Sequence, residues 1–179
     1  MKIDKDWALF YGIMIGDGCI SKCKKCSFVV ISCSLYDDKP FFEKVKLLDF
    51  PVGKKGQIKI SSRFDRNLWK YIIAGLFSTD GSLVIKNNNN TIYPRIEIQS
   101  ISFRLLEQTK NFLIDAGLKG NVYKIERKNY NTIYRLEFPG ITNLLKFKSQ
   151  IGFVNPKHID KLSHYLKNRH LKWHEWSWK

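Results

Sequence analysis

The chain contains no run of about 18 consecutive apolar residues, the length a membrane-spanning helix needs, so a membrane span is not expected. Its start, "MKIDKDWALF", has neither the unbroken apolar stretch nor the small-residue cleavage site of a secretory signal. Cysteine is confined to Cys19, Cys23, Cys26 and Cys33. With no export signal, disulfides are not expected and a cytoplasmic location is, beside the nucleoid if the source is prokaryotic. Acidic residues are scarce: 16 Asp and Glu stand against 31 Lys and Arg, a formal charge of +15 over 179 residues. Hydrophobic residues still make up 44% and aromatics 14%, which excludes a disordered basic tail. The positive excess is interleaved with Tyr, Trp and Phe along the whole chain, the pattern of a surface for a polyanion. A ribosomal-type or merely soluble basic protein is the bland alternative.

Against that background one short string occurs twice. "LFYGIMIGDGCI" runs from Leu9 to Ile20 and "IIAGLFSTDGSL" from Ile72 to Leu83. With Gly12 set on Gly75, Asp17 falls on Asp80 and Gly18 on Gly81. Helix-compatible sequence precedes each copy, with Asp4 or Asp6 as the expected N-cap of the first and Asp65 of the second. Strand-like sequence follows each. An aspartate in the last turn of a helix faces the negative end of the macrodipole and costs about 0.3–1 kcal/mol. Its place needs a reason. Gly12 and Gly75, with Gly16 as a second gap, let the two helices approach backbone to backbone. Their C-terminal ends then arrive together, with Asp17 beside Asp80, and Gly18 and Gly81 let the chain turn out of the helix. Two carboxylates and two sets of helix-end carbonyls repel one another unless a hard divalent cation joins them. For a single aspartate, a simple C-capping turn residue is the competing reading.

The second copy continues as strand–strand–helix–strand–strand–helix. "SLVIK" and "TIYPRIEIQ" flank the turn "NNNN". The stretch "SFRLLEQTKNFLIDAG" places Leu105, Leu106, Thr109, Phe112 and Leu113 on one helical face and stops at Gly117. "NVYKIER" and "TIYRLEF" make a second hairpin, and helices near "ITNLLKFKSQI" and "PKHIDKLSHYLKN" close the unit. In "TIYPRIEIQ", Ile92, Ile96 and Ile98 point one way and Tyr93, Arg95, Glu97 and Gln99 the other, which implies a half-buried antiparallel sheet with one polar face. That face suits the major groove of duplex DNA, where Arg95 matches guanine and Gln99 adenine. Lys22, Lys24, Lys25 and Lys86 in the first strands, and Lys124, Arg127 and Arg135 in the second hairpin, are further candidates; each could equally be a solvated sheet-edge charge. The stretch after the first copy is shorter, with Gly18 to Lys54 less than half as long as Gly81 to Lys157. Either that half is reduced or a segment near Val45–Lys46 is missing.

"GIMIGDG" and "GLFSTDG", each followed by a basic hairpin region, resemble the double-motif LAGLIDADG homing endonucleases. The resemblance implies an α/β (α+β) protein of two pseudo-symmetric half-domains, residues 1–68 and 69–168, with a basic aromatic tail at 169–179. Each half would be αββαββα-like, the first shortened and without its second hairpin, the motif helices would pair at the interface, and the sheets would form a saddle on DNA. It also implies a monomeric enzyme that cuts both strands of a long target with short 3′ overhangs, starting intron or intein mobility. Asp17 and Asp80 would bind Mg²⁺ or Mn²⁺, helped by the carbonyls of Gly16 and Thr79. Lys54 and Lys157 would supply positive charge, and Gln99 or Ser100 would position water, with Ser32 or Cys33 at the matching place in the first half. Some relatives act on precursor RNA as splicing maturases, and a lapsed DNA-binding module is a third reading.

Two other patterns carry less. "CISKCKKC" has iron–sulfur spacing, and zinc bound with Cys33 is conceivable, but free thiols beside a DNA-facing hairpin fit its position better. His158, His164, His170 and His174 cluster late in the chain. The spacing of His170 and His174 would align two imidazoles on a helix without a third ligand, so a tail with Trp173, Trp176 and Trp178 packed on the core is the expectation.

Overall fold

The structure, a computed structural model, describes residues 4–16, 18–22, 27–31, 55–126 and 131–177, with backbone alone at 18–22, 27–31 and 55. Asp17, Cys23, Lys24, Lys25, Cys26, Ser32, Cys33, Lys54, Arg127 and Trp178 lie outside the described residues, as does the segment around Val45–Lys46.

Helix α1 (Lys5–Gly16) begins where Asp4 Oδ1 accepts from the backbone N–H groups of Asp6 (3.1 Å) and Trp7 (3.0 Å). Asp4 is therefore the cap, and Asp6 sits in the first turn, where its charge suits the positive end of the macrodipole. The helix is apolar over much of its circumference and is buried at Ala8, Phe10, Tyr11, Met14 and Ile15. Such a helix belongs in the middle of a protein. Strands β1 (Gly18–Lys22) and β2 (Ser27–Ile31) follow as an antiparallel pair.

A strap at 58–64 leads to the second copy. Ile58, Ile60 and Phe64 enter the core. Tyr11 Oη donates to the Lys59 carbonyl (3.1 Å) and accepts from the Ser61 N–H (3.2 Å), while Gln108 Oε1 accepts from the Ile60 N–H (2.8 Å). Burial pushes the Tyr11 hydroxyl up to about 12. A 3-10 turn at Arg66–Leu68 then precedes helix α2 (Trp69–Asp80). Asp65 caps that turn through its carbonyl, accepting from the Leu68 N–H at 2.9 Å, and makes no side-chain cap, unlike the expected helix N-cap.

After α2 come β3 (Gly81–Asn88), β4 (Thr91–Ser100), α3 (Phe103–Asp115), β5 (Asn121–Ile125), β6 (Ile133–Pro139), α4 (Ile141–Gln150) and α5 (Pro156–Asn168). The four strands form an antiparallel sheet in the order β3-β4-β6-β5. Among the described residues, five helices and this sheet give the mixed α/β fold that the sequence predicts. The β3–β4 turn is tighter than "NNNN" suggests: only Asn89 (φ 50°) and Asn90 (φ 63°) leave the ladder. Both are left-handed, as a two-residue hairpin turn requires, and asparagine tolerates that conformation better than most side chains. Helix α3 buries Leu105, Leu106, Thr109 and Leu113, with Phe112 packed at the margin, and gives way to Gly117 at φ 81°.

The sheet's inner face carries Leu83, Ile92, Ile96, Ile98, Leu136 and Phe138 against α3 and α4. The same continuous core includes α1 and the strap. The tail docks on the β3–β4 hairpin: the Trp173 N–H donates to the Asn90 carbonyl (2.9 Å), and Trp176 packs edge-on to His164 at 4.8 Å. His170 lies in a turn and His174 in a 3-10 turn, so their rings do not share a helical face. Among the described residues no helix is long and apolar enough to cross a membrane.

Candidate active site and nucleic-acid interface

Helices α1 and α2 pack in parallel at their glycines. A Cβ on Gly12 would run into the Ile72 carbonyl, and one on Gly75 into the Leu9 carbonyl and, at 2.8 Å, the Ile13 nitrogen. One turn further on, a Cβ on Gly16 would meet the Thr79 hydroxyl and stand 3.5 Å from Asp80 Cγ. The two C-terminal ends therefore meet at Gly16, Thr79 and Asp80. Asp17, the next residue after Gly16, is outside the described residues.

Leaving α2, Gly81 has φ −88° and ψ 157°, an extended conformation open to any residue. The glycine is there for space: a Cβ would collide with the Phe77 ring and carbonyl. That replaces the expected reason, freedom to turn sharply out of the helix, with a steric one. The register then matches the two copies, because Gly81 pairs with Ile98 as Gly18 pairs with Ile31. Gln99 and Ser100 follow Ile98 as Ser32 and Cys33 follow Ile31.

A cleft of about 230 Å³ opens beside the helix ends, lined by Ile15, Gly16, Ile58, Asp80, Gln99, Ser100, Ile101 and Ile133. It brings together Asp80, Gly16, Gln99 and Ser100, four of the expected site residues, with Thr79 touching Gly16. The donors in reach are carboxylate, carbonyl, amide and hydroxyl oxygens, which suits a hard cation such as Mg²⁺ or Mn²⁺ rather than a soft one. Among the described residues no three His, Cys, Asp or Glu side chains converge, and Asp80 is the cleft's one carboxylate.

Lys157 stands exposed in the first turn of α5. Sequence reasoning missed the residue that ties this turn to the site. Asn155 Oδ1 accepts from the Lys157 N–H (3.0 Å), capping α5, while its Nδ2 donates to the Ser78 carbonyl in the last turn of α2 (2.9 Å). The signal was present as Asn-Pro, an N-cap followed by proline at the first helical position. Next to Lys157, His158 is buried against Phe77, with ring centroids 4.8 Å apart. Burial pulls its pKa down, and the charges of Lys157 and Lys161 add to that.

Strand parity sorts the expected DNA contacts. Lys86, Tyr93, Arg95, Glu97, Gln99 and Arg135 all project from the sheet face opposite the isoleucine core. Lys124 does not. It pairs with Tyr134, shares the face of Val122 and Leu136, and binds Glu126 at 2.6 Å. Tyr134 in turn packs on Phe103 of α3, at 5.2 Å, which fixes that face as the helix side. Lys22 lies in β1, and its side chain is not described. Parity also exposes two residues absent from the expectation: Tyr123, 48% exposed and opposite Arg135, and Glu137. Arg95 is not open to a guanine, because both of its terminal nitrogens hold carboxylates, those of Glu97 and Glu137.

No curated protein sequence matches the chain. The copy that supplies Asp80, the four-stranded sheet and α4 does find a counterpart: residues 69–152 match the family model of the LAGLIDADG-like domain, and in that region the chain is similar to the LAGLIDADG proteins.

Proposed function

We propose that the chain is a site-specific homing endonuclease that makes a metal-dependent double-strand break, with short 3′ overhangs, in a long duplex target. One observation carries the reading: the ends of two glycine-packed helices meet at Gly16, Thr79 and Asp80 beside a polar cleft, next to the polar, arginine-bearing face of a sheet. A LAGLIDADG-like domain is compatible with a nuclease or a maturase. The carboxylate at the cleft favours the nuclease, because splicing assistance does not need it.

Asp80, the carbonyls of Gly16 and Thr79, and Asp17 from the neighbouring helix end would hold the divalent ion. When bound, such an ion supplies Lewis acidity toward the phosphate and lowers the pKa of attacking water. The chain's own groups do the rest. Gln99 and Ser100 line the cleft and orient solvent there by hydrogen bonding. Lys157, presented by the Asn155-capped turn, adds positive charge toward the phosphoryl oxygens. Lys54 fills the same role for the other strand. The basic sheet face neutralises backbone phosphates, so binding weakens steeply with salt. A single chain acts as a monomer.

The test is incubation of the purified chain with a duplex of its own uninterrupted host locus and Mg²⁺. Cleavage at one position in both strands, lost in Asp80→Asn with duplex binding kept, is the expected result. Splicing of precursor RNA without cleavage would replace this reading with the maturase, and undiminished cutting by Asp80→Asn would remove the metal assignment.

A further inference from the structure

On the outer sheet face Glu97 and Glu137 lie directly opposite each other across β4 and β6. Both are buried, at 5% and 8% exposure. Like charges in that register repel, and buried carboxylates demand compensation. Two arginines supply it unequally. Arg95 spends its whole fork: one terminal nitrogen pairs with Glu97, and Nη1 donates to Glu137 Oε2 at 3.1 Å. Arg135 spends only its Nε, in an ion pair with Glu137 Oε1 at 2.5 Å. Its two terminal nitrogens have no partner among the described residues, and its side chain is 31% exposed against 15% for Arg95. The register also sets Arg135 between Gln99 and Tyr123, in the row of the sheet that runs to the cleft.

Resting on the endonuclease reading, we propose that Arg135 is the guanine-reading side chain of this face, and that Arg95, Glu97 and Glu137 form the ion-paired frame that aims it. A guanine presents O6 and N7 in the major groove, and reading both takes two parallel donors on one rigid group. Arg135 has them available and oriented. Arg95 could offer them only by abandoning two buried carboxylates that face each other, which is costly. Glu137 is accordingly a positioning residue: it touches both arginines and no base.

Duplexes selected from a randomised pool by the full chain, in EDTA so that binding alone is read, give the wild-type preference. Arg135→Gln should exchange guanine for adenine at one position, and Arg135→Ala should bind the selected duplex about tenfold more weakly. Replacing that guanine by 7-deazaguanine, which lacks the N7 acceptor, should weaken the wild type and leave Arg135→Ala unaffected. Arg95→Lys keeps a cation between the glutamates and should retain the guanine. Loss of the guanine preference in Arg95→Lys, with retention in Arg135→Gln, overturns the inference while leaving the endonuclease reading intact. Failure of the wild-type chain to enrich any duplex overturns both.

Discussion

The two motif copies differ most informatively where they touch. At the first contact both hold glycine, Gly12 and Gly75, because a side chain on either would enter the partner's backbone. One turn later the matched positions are Gly16 and Thr79, and there only one is glycine. The helices have begun to diverge enough for one small side chain but not two. Glycine is thus needed in both copies where backbones meet and in only one where a side chain can fill the gap. Thr79 uses that gap: its hydroxyl donates to the Leu76 carbonyl (3.0 Å), and it borders the last turn that delivers Asp80.

The comparison can be broken in order of severity. Asp80→Asn should take cleavage to the uncatalysed level with duplex affinity kept, measured on the same target. Asp17→Asn should do the same if the copies are functionally equal, whereas nicking of one strand would show that each acid serves its own strand. Gly75→Ala should destabilise the fold by about 2–3 kcal/mol in chemical denaturation, since backbone cannot yield as a side chain can. Gly16→Ala should cost about 1 kcal/mol, because the Thr79 hydroxyl can rotate away, and Gly16→Ala with Thr79→Gly should recover most of it. Asn155→Ala loses a cap and its tie to Ser78, for about 1–2 kcal/mol, and should slow cleavage without changing target preference.

The smallest effect concerns pH. The pKa of His158 is lowered in the folded state, so the unfolded chain binds the extra proton first. Stability from this residue is fully present above the ordinary imidazole value of 6.5 and is lost as pH falls from there through the lowered native value. His158→Gln should flatten that part of a melting-temperature profile. An unchanged slope would mean that burial, with the charges of Lys157 and Lys161 beside it, does not hold this ring neutral.

Much of the second half was legible because its signals are local. Alternation in "TIYPRIEIQ" assigned Ile92, Ile96 and Ile98 to the core, and the Leu105–Leu113 pattern gave α3 its buried side. What was misjudged depended on partners distant in sequence. Lys124 looked like a DNA contact until pairing with Tyr134 set its face. Arg95 looked free because Glu137, which holds it, is on another strand. Gly81 looked like a turn glycine because the Phe77 ring that excludes a side chain is visible only once the helix is built.

By itself the sequence determined the duplicated glycine-and-aspartate string, the excess of positive charge and the strand and helix periods, since each depends on residues a few positions apart. Only the tertiary structure decided which charges are available to a ligand. Availability depends on what each side chain meets across strands and helices, and at the centre of this sheet two buried glutamates occupy both terminal nitrogens of Arg95 and only the Nε of Arg135.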